Sequence, residues 1–166
     1  MLKGYAGQIL FVDLTKRKIV KEPLREDFAK LYLGGRGFNS RFLFDMVSKG
    51  IDPFSPENIV AISNGPLCGT LAPSSNRYTV TAKSPMTHGV GYANSGGHFG
   101  PEMKYAGYDT IVITGKADEP VYLYIDDASV EIRSAKHLWG KDTFETDAML
   151  REEIGDEKIQ MLYIHF

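Results

Sequence analysis

Residues 91–109 read GYANSGGHFGPEMKYAGYD and place five glycines, Gly91, Gly96, Gly97, Gly100 and Gly107, in the middle of the chain. Each glycine loses more conformational freedom on ordering than any other residue, so a stretch this rich in them weakens a fold unless something offsets the loss. Two readings stay open on pattern alone. In one, the glycines are turns and Ser95 caps a short helix. In the other, Asn94-Ser95-Gly96-Gly97 feeds the start of that helix. Several backbone N–H groups then point toward one place, and a phosphate or other oxyanion settles there.

The flanking sequence sets the architecture around this stretch. Residues 8–14 and 18–22 alternate in polarity around a turn at Thr15, Lys16 and Arg17, which predicts a hairpin. Apolar spacing predicts a helix over 24–33, ended by Gly34 and Gly35, and a second over 38–47. Residues 58–63, 77–82 and 110–114 are rich in β-branched types and read as strands, and 89–93 as extended. A further hairpin is expected over 121–125 and 129–132, joined through Asp126 and Asp127. A last helix runs from Asp142 or Thr143 to about Ile154, and a strand begins over 158–164. Strands, then helices, then many strands is an α+β order, not an alternating parallel one.

Composition narrows the function classes. The 166 residues are one domain's worth, and 43% hydrophobic with 24% charged residues is an ordinary globular balance. A net charge of −2 gives no support to nucleic acid or an anionic membrane as partner. Residues 2–11 are interrupted by Lys3, Gly4, Gly7 and Gln8, so neither a signal peptide nor a membrane span is expected, and the protein reads as cytoplasmic. One cysteine, Cys68, excludes an intrachain disulfide and any cluster built from this chain's thiolates. Beside Gly69 it reads as a half-buried small hydrophobe.

Other polar candidates are sparse. Arg77 carries a fixed fork of donors suited to phosphate or a planar polar ring, with a solvated surface arginine as the plain alternative. Gly34-Gly35-Arg36-Gly37 follows a helix and not a strand, the wrong context for a dinucleotide loop. His88, His98, His137 and His165 are scattered without metal-ligand spacing, and only His98 lies in the glycine-rich stretch. Glu102 and Asp109 flank the short helix with no opposed carboxylate, so no catalytic residue is assigned. Asp126, Asp127 and Glu131 lack the glycine and spaced oxygens of a calcium loop.

Longer motifs are specific. GYAGQILFVDLT, LGGRGFNSRFL, DPFSPEN, RYTVTAKSP, ANSGGHFG, KYAGYD and HLWGKDTFETDAMLREEIGDEK follow one another in order. From about Tyr5 to about Lys158 the chain resembles the N-terminal domain of the aldehyde:ferredoxin oxidoreductase family, which carries tungsten, or molybdenum in some members, on two pterins.

The resemblance implies a β-sheet-rich base domain, with a few short helices, on which the metal–pterin rests. The arginine matching Arg77 contacts the pterin. Asn94 and Gly96 match residues lying against it, and the Asn94 backbone carbonyl matches one near a magnesium ion that bridges the pterin phosphates. Ser95 and Gly97 are expected from position alone as neighbouring N–H donors. The 4Fe–4S cluster and the proposed catalytic acid and histidine of intact members lie in later domains. The chain stops at LYIHF, where members continue into a Gly-Pro-Ala-Gly-Glu turn, so the expectation is a single, truncated or naturally split domain over residues 1–166. Two functions stay open. The first is half of the cofactor cradle in an oxidoreductase that takes aldehydes to acids and passes electrons to ferredoxin. The second is a stand-alone binding or interaction module, or a partner to separately encoded domains. Either way the unpaired face predicts self-association, as a homo-oligomer, or dependence on a partner chain.

Overall fold

The computed structural model describes residues 2–163 of the chain. Six strands form one mixed sheet: β1 (Gln8–Asp13), β2 (Lys18–Pro23), β3 (Ile59–Asn64), β4 (Tyr78–Lys83), β5 (Val90–Ser95) and β6 (Thr110–Thr114). Their order is β2-β1-β6-β3-β4-β5, with β1 and β6 parallel and every other neighbour antiparallel. A separate hairpin pairs β7 (Val121–Asp126) with β8 (Ser129–Ser134). Four α-helices among the described residues accompany them: α1 (Glu26–Tyr32), α2 (Arg36–Met46), α3 (Phe99–Tyr105) and α4 (Thr143–Ile154). The architecture is α+β, as the order of elements predicts. No helix among the described residues is long and apolar enough to cross a membrane.

The period of two along each strand sends alternate side chains to opposite faces, and both faces are covered. On one, Ile9, Ile59, Ala61 and Val112 meet Ala29 of α1 and Phe38, Phe42 and Leu43 of α2. On the other, Leu10, Val12, Ile62, Tyr78 and Ile111 meet Met103 of α3 and the inward residues of the β7–β8 hairpin. Burying one large apolar side chain in such a layer contributes about 1.5–3 kcal/mol, and these two layers supply most of the sheet's stability.

Most expected elements are present, and three details differ. The glycines at 34 and 35 do more than end α1: Gly35 is the N-cap of α2, which starts at Arg36, two residues before the apolar face begins. Residues 94 and 95 are strand, not loop, because the pairing of β5 with β4 runs on to Ser95 opposite Tyr78. Residues 158–163 are not a strand. Ile159, Met161 and Tyr163 instead pack beside Leu150 of α4, and the Tyr163 hydroxyl donates to Asp147 at 2.8 Å. Ile164, and with it His165, lies outside the described residues.

Asp109, just before β6, is wholly buried. Its carboxylate accepts the Ala6 and Gly7 N–H groups at 3.0 and 2.7 Å. Its own N–H donates to the Gln8 carbonyl, and its carbonyl accepts the Asn64 N–H, so one residue ties β1, β3 and β6 together. Lys104 of α3 lies 3.7 Å from the same carboxylate and donates to the Gly4 and Gly65 carbonyls at 2.7 and 2.6 Å. Burial pulls the Lys104 ammonium below the usual lysine range, against the opposing pull of Asp109 and Cys68. Removing one partner of a buried pair leaves the other charge uncompensated, a loss of about 3–5 kcal/mol. Asp109→Ala is therefore expected to lower unfolding free energy by about that amount in urea melts, while exposed Asp118→Ala changes it by less than about 0.5 kcal/mol.

Candidate functional site

β5 is one of the two edge strands of the sheet, and its register with β4 decides what it offers. Asn94 lies opposite Thr79 and Tyr92 opposite Thr81, so both share the face that α2 covers. Ser95 lies opposite Tyr78 and shares the other face. Backbone direction follows from the hairpin that joins the strands. The Ser84 N–H donates to the Gly89 carbonyl across the turn, whereas the N–H and C=O of Lys83 pair with Asn58 on the β3 side. Alternation along an antiparallel ladder then turns the backbone of residues 91, 93 and 95 toward β4 and that of 90, 92 and 94 toward the free edge. The Asn94 carbonyl thus points away from the sheet. The Ser95 N–H points into it, so the expected Ser95 backbone donor is not free and Ser95 offers its hydroxyl.

A chain of buried polar groups sets the Asn94 side chain. Asn39 of α2 donates to the Thr79 carbonyl at 2.9 Å and to the Thr81 hydroxyl at 3.1 Å. Its Oδ1 accepts the Ser63 hydroxyl, which lies 2.8 Å from the Thr110 hydroxyl. Thr79 Oγ1 in turn donates to Asn94 Oδ1 at 2.6 Å. With its oxygen engaged, the exposed Asn94 amide has its NH₂ group left for a ligand.

Arg77 stands immediately before β4, exposed, with no hydrogen bond or ion pair to any described residue. The Asn76 side chain is nearest to Gly96, about 3.6 Å from where a Cβ would stand. Gly97 adopts φ +84° with no atom within 4 Å of that position, a conformation L side chains rarely take over open space. α3 follows with His98 as N-cap and no side-chain capping bond. At the base of the loop Asn64 is buried and donates to the Gly100 carbonyl at 3.3 Å, but its Oδ1 has no partner among the described residues. Cys68 is buried beside Gly100, and burial pushes its thiol up, away from reactivity.

The structure therefore gathers Asn94, Gly96 and Gly97 at one corner of the sheet, with Arg77 at the adjoining end of β4. Sequence reasoning missed Thr79, Asn39 and Asn64. Thr79 and Asn39 lie in a strand and a helix read as core, and only strand register reveals that they back onto Asn94, whereas Asn64 follows the strand read over 58–63 and sits beneath Gly100 on the opposite face of the sheet. Among the described residues no three His, Cys, Asp or Glu side chains come together to hold a metal ion. Two concavities, of about 390 and 470 Å³, lie elsewhere, beside His137 and Glu153 and beside Asp13 and Glu57. Both are shallow and open, and the corner at Asn94 is open surface too.

Known proteins share this sequence and fold. The sequence profile of the aldehyde ferredoxin oxidoreductase N-terminal domain matches residues 9–165. The tungsten-containing aldehyde ferredoxin oxidoreductase of Pyrococcus horikoshii is 52% identical over 97% of this chain, and that of Pyrococcus furiosus 47% over 97%. The chain spans about a quarter of the length of these relatives, 26% and 27%. A solved structure, the active site complex BamBC of benzoyl coenzyme A reductase with 1,5 dienoyl-CoA, superposes with a TM-score of 0.92 at 43% identity. It covers 95% of this chain and 24% of that one.

Thr79→Val keeps the volume of the side chain and removes the hydroxyl that fixes Asn94. It is expected to cost about 0.5–1.5 kcal/mol in denaturant melts and to free the Asn94 side-chain amide, read as a shift and narrowing of its NH₂ resonances. Thr79→Ser should restore both.

Proposed function

From a chain that belongs to the aldehyde ferredoxin oxidoreductase family, through its N-terminal domain, we infer one side of a cradle for a tungsten–pterin cofactor. The observation that carries the reading is the outward-facing Asn94 carbonyl at a corner of open backbone, with the unpartnered Arg77 guanidinium at the end of the neighbouring strand. A flat, polar, anionic group fits the donors here, the Arg77 guanidinium and the Asn94 NH₂ group, and nothing occupies the space above Gly97. Arg77, Asn94, Gly96 and Gly97 would hold the cofactor, with the Ser95 hydroxyl beside them, and the Asn94 carbonyl would suit a magnesium ion. When bound, the metal–pterin supplies the redox chemistry, and the protein supplies position and electrostatics. This chain's part in that chemistry is to bind and orient the cofactor.

The substrate is chosen elsewhere. The relatives are named for aldehyde oxidation and the solved neighbour for benzoyl-CoA reduction, yet both share this domain. An element common to two chemistries positions what they have in common. The proposed reaction of the whole protein is oxidation of an aldehyde to an acid, with electrons passed through a 4Fe–4S cluster in the remaining domains to ferredoxin in the cytoplasm. Exposed apolar side chains such as Phe44, Phe54, Leu71 and Met86 support surface that those domains or a second copy cover, with residues 1–166 forming a single domain. As a stand-alone module the chain would act as a binding or interaction domain without catalysis.

Metal and pterin analysis of the protein isolated from its own host tests this. Tungsten with pterin is expected, reduced about tenfold or more in Arg77→Ala, since a charge-assisted hydrogen bond contributes about 1.5–3 kcal/mol. A full complement of both in Arg77→Ala would sink the reading.

A further inference from the structure

The seven arginines of the chain divide sharply. Arg17 donates to the Ile132 carbonyl, and Arg25, Arg41, Arg133 and Arg151 each hold a carboxylate. The two with no hydrogen-bond or ion-pair partner among the described residues are Arg77 and Arg36, and both belong to the same corner. Arg36 opens α2, and its guanidinium carbon lies 3.7 Å from the centroid of the Tyr92 ring. Tyr92 lies two residues before Asn94, on the same face of β5. Gly35, the cap before Arg36, has the Thr79 hydroxyl about 3.6 Å from where its Cβ would stand, and that hydroxyl holds Asn94.

The glycines around Arg36 are explained by packing. A Cβ on Gly34 would stand 2.6 Å from the Asn64 carbonyl oxygen, and one on Gly37 would stand 2.0 Å from that of Tyr32. They let α2 start hard against the end of α1 and the end of β3. Arg36 has no such explanation: it is exposed and makes no ion pair. A guanidinium stacked on an aromatic face is restrained in orientation while the N–H groups in its plane stay available, the geometry that takes a phosphate through two oxygens.

We infer that Arg36 is a second anion-binding residue of the cradle, its guanidinium held on Tyr92 to receive a phosphate oxygen of the cofactor that lies against Asn94. The inference rests on the pterin reading and adds to it a residue on a helix, on the other side of Thr79 from Arg77. The first turn of α2, capped by a glycine that brings no side-chain acceptor, adds partial positive charge to the same place.

The test measures pterin retention in the protein from its own host, as fluorescence of the oxidised pterin after gel filtration, for wild type, R36Q, R36K and R77Q. R36Q is expected to retain ~10-fold less pterin, the scale of one charge-assisted contact. Its melting temperature should stay that of wild type, because the side chain is exposed. R36K should recover only part of the loss, since an ammonium carries the charge but neither the fork nor the flat stack. Excess inorganic pyrophosphate should speed release from wild type and leave R36Q little changed. R36Q holding pterin like wild type would overturn the inference, as would a loss that merely follows a lower melting temperature. If R77Q loses pterin and R36Q does not, the inference alone falls. If wild type carries no pterin, the cradle reading falls and takes the inference with it.

Discussion

A buried carboxylate with no water to solvate it must find its hydrogen bonds in the chain, and Asp109 finds them about a hundred residues away. The constraint organises the whole sheet. β1 and β6 are its one parallel pair, and parallel strands have no tight turn to set their register. The Asp109 carboxylate, by gripping the Ala6 and Gly7 N–H groups, fixes where β1 begins against β6. Its backbone fixes β3 on the other side. Lys104 extends the same grip to α3 and to the loop at Gly65, so the far end of the glycine-rich stretch is anchored even though its middle is open.

The near end of that stretch is anchored by different physics. The face of the sheet that α1 and α2 cover is apolar where Phe38 and Phe42 of α2 pack, but around Asn39 of the same helix it becomes a line of hydroxyls through Thr110, Ser63, Thr81 and Thr79. A buried network of this kind gives little net stability over a well-packed apolar layer. It does narrow the geometry, because each group is satisfied in one arrangement only. Its last member is Asn94. The rigid interior thus sets the orientation of an exposed side chain on an edge strand, where packing alone would leave it loose.

How much of this was legible followed the reach of each signal. β1, β3, β4 and β6 announce themselves through alternating or β-branched residues such as Ile59, Val60 and Ile62, and α4 through the Asp142–Glu145 capping box. β5 was only partly legible, since glycine, alanine and asparagine at 91, 93 and 94 carry little strand preference and an edge strand buries little. Its register is inherited from the hairpin with β4. Asn94 and Arg77 were marked by motif, but their arrangement was not, because it depends on that register. Arg36 was set aside for following a helix, a sound objection to a dinucleotide loop that says nothing about a sheet edge folding back over it. Residues 158–163 look like a strand because Ile159, Met161 and Tyr163 alternate. That alternation instead buries one side against α4.

An open corner with free guanidinium groups is a weak binder while water surrounds it. Exposed ion pairs contribute only about 0–1 kcal/mol, and the same pairs gain strength several-fold as the local dielectric falls. The donors at Arg36, Arg77 and Asn94 reach their full effect only when a second surface closes over the proposed cofactor and excludes solvent. Closure and cofactor binding then favour each other by the same free energy, since linkage is reciprocal. A domain built this way is suited to the role of base. It keeps its polar groups in place through a rigid interior and leaves the choice of substrate to whatever completes the enclosure.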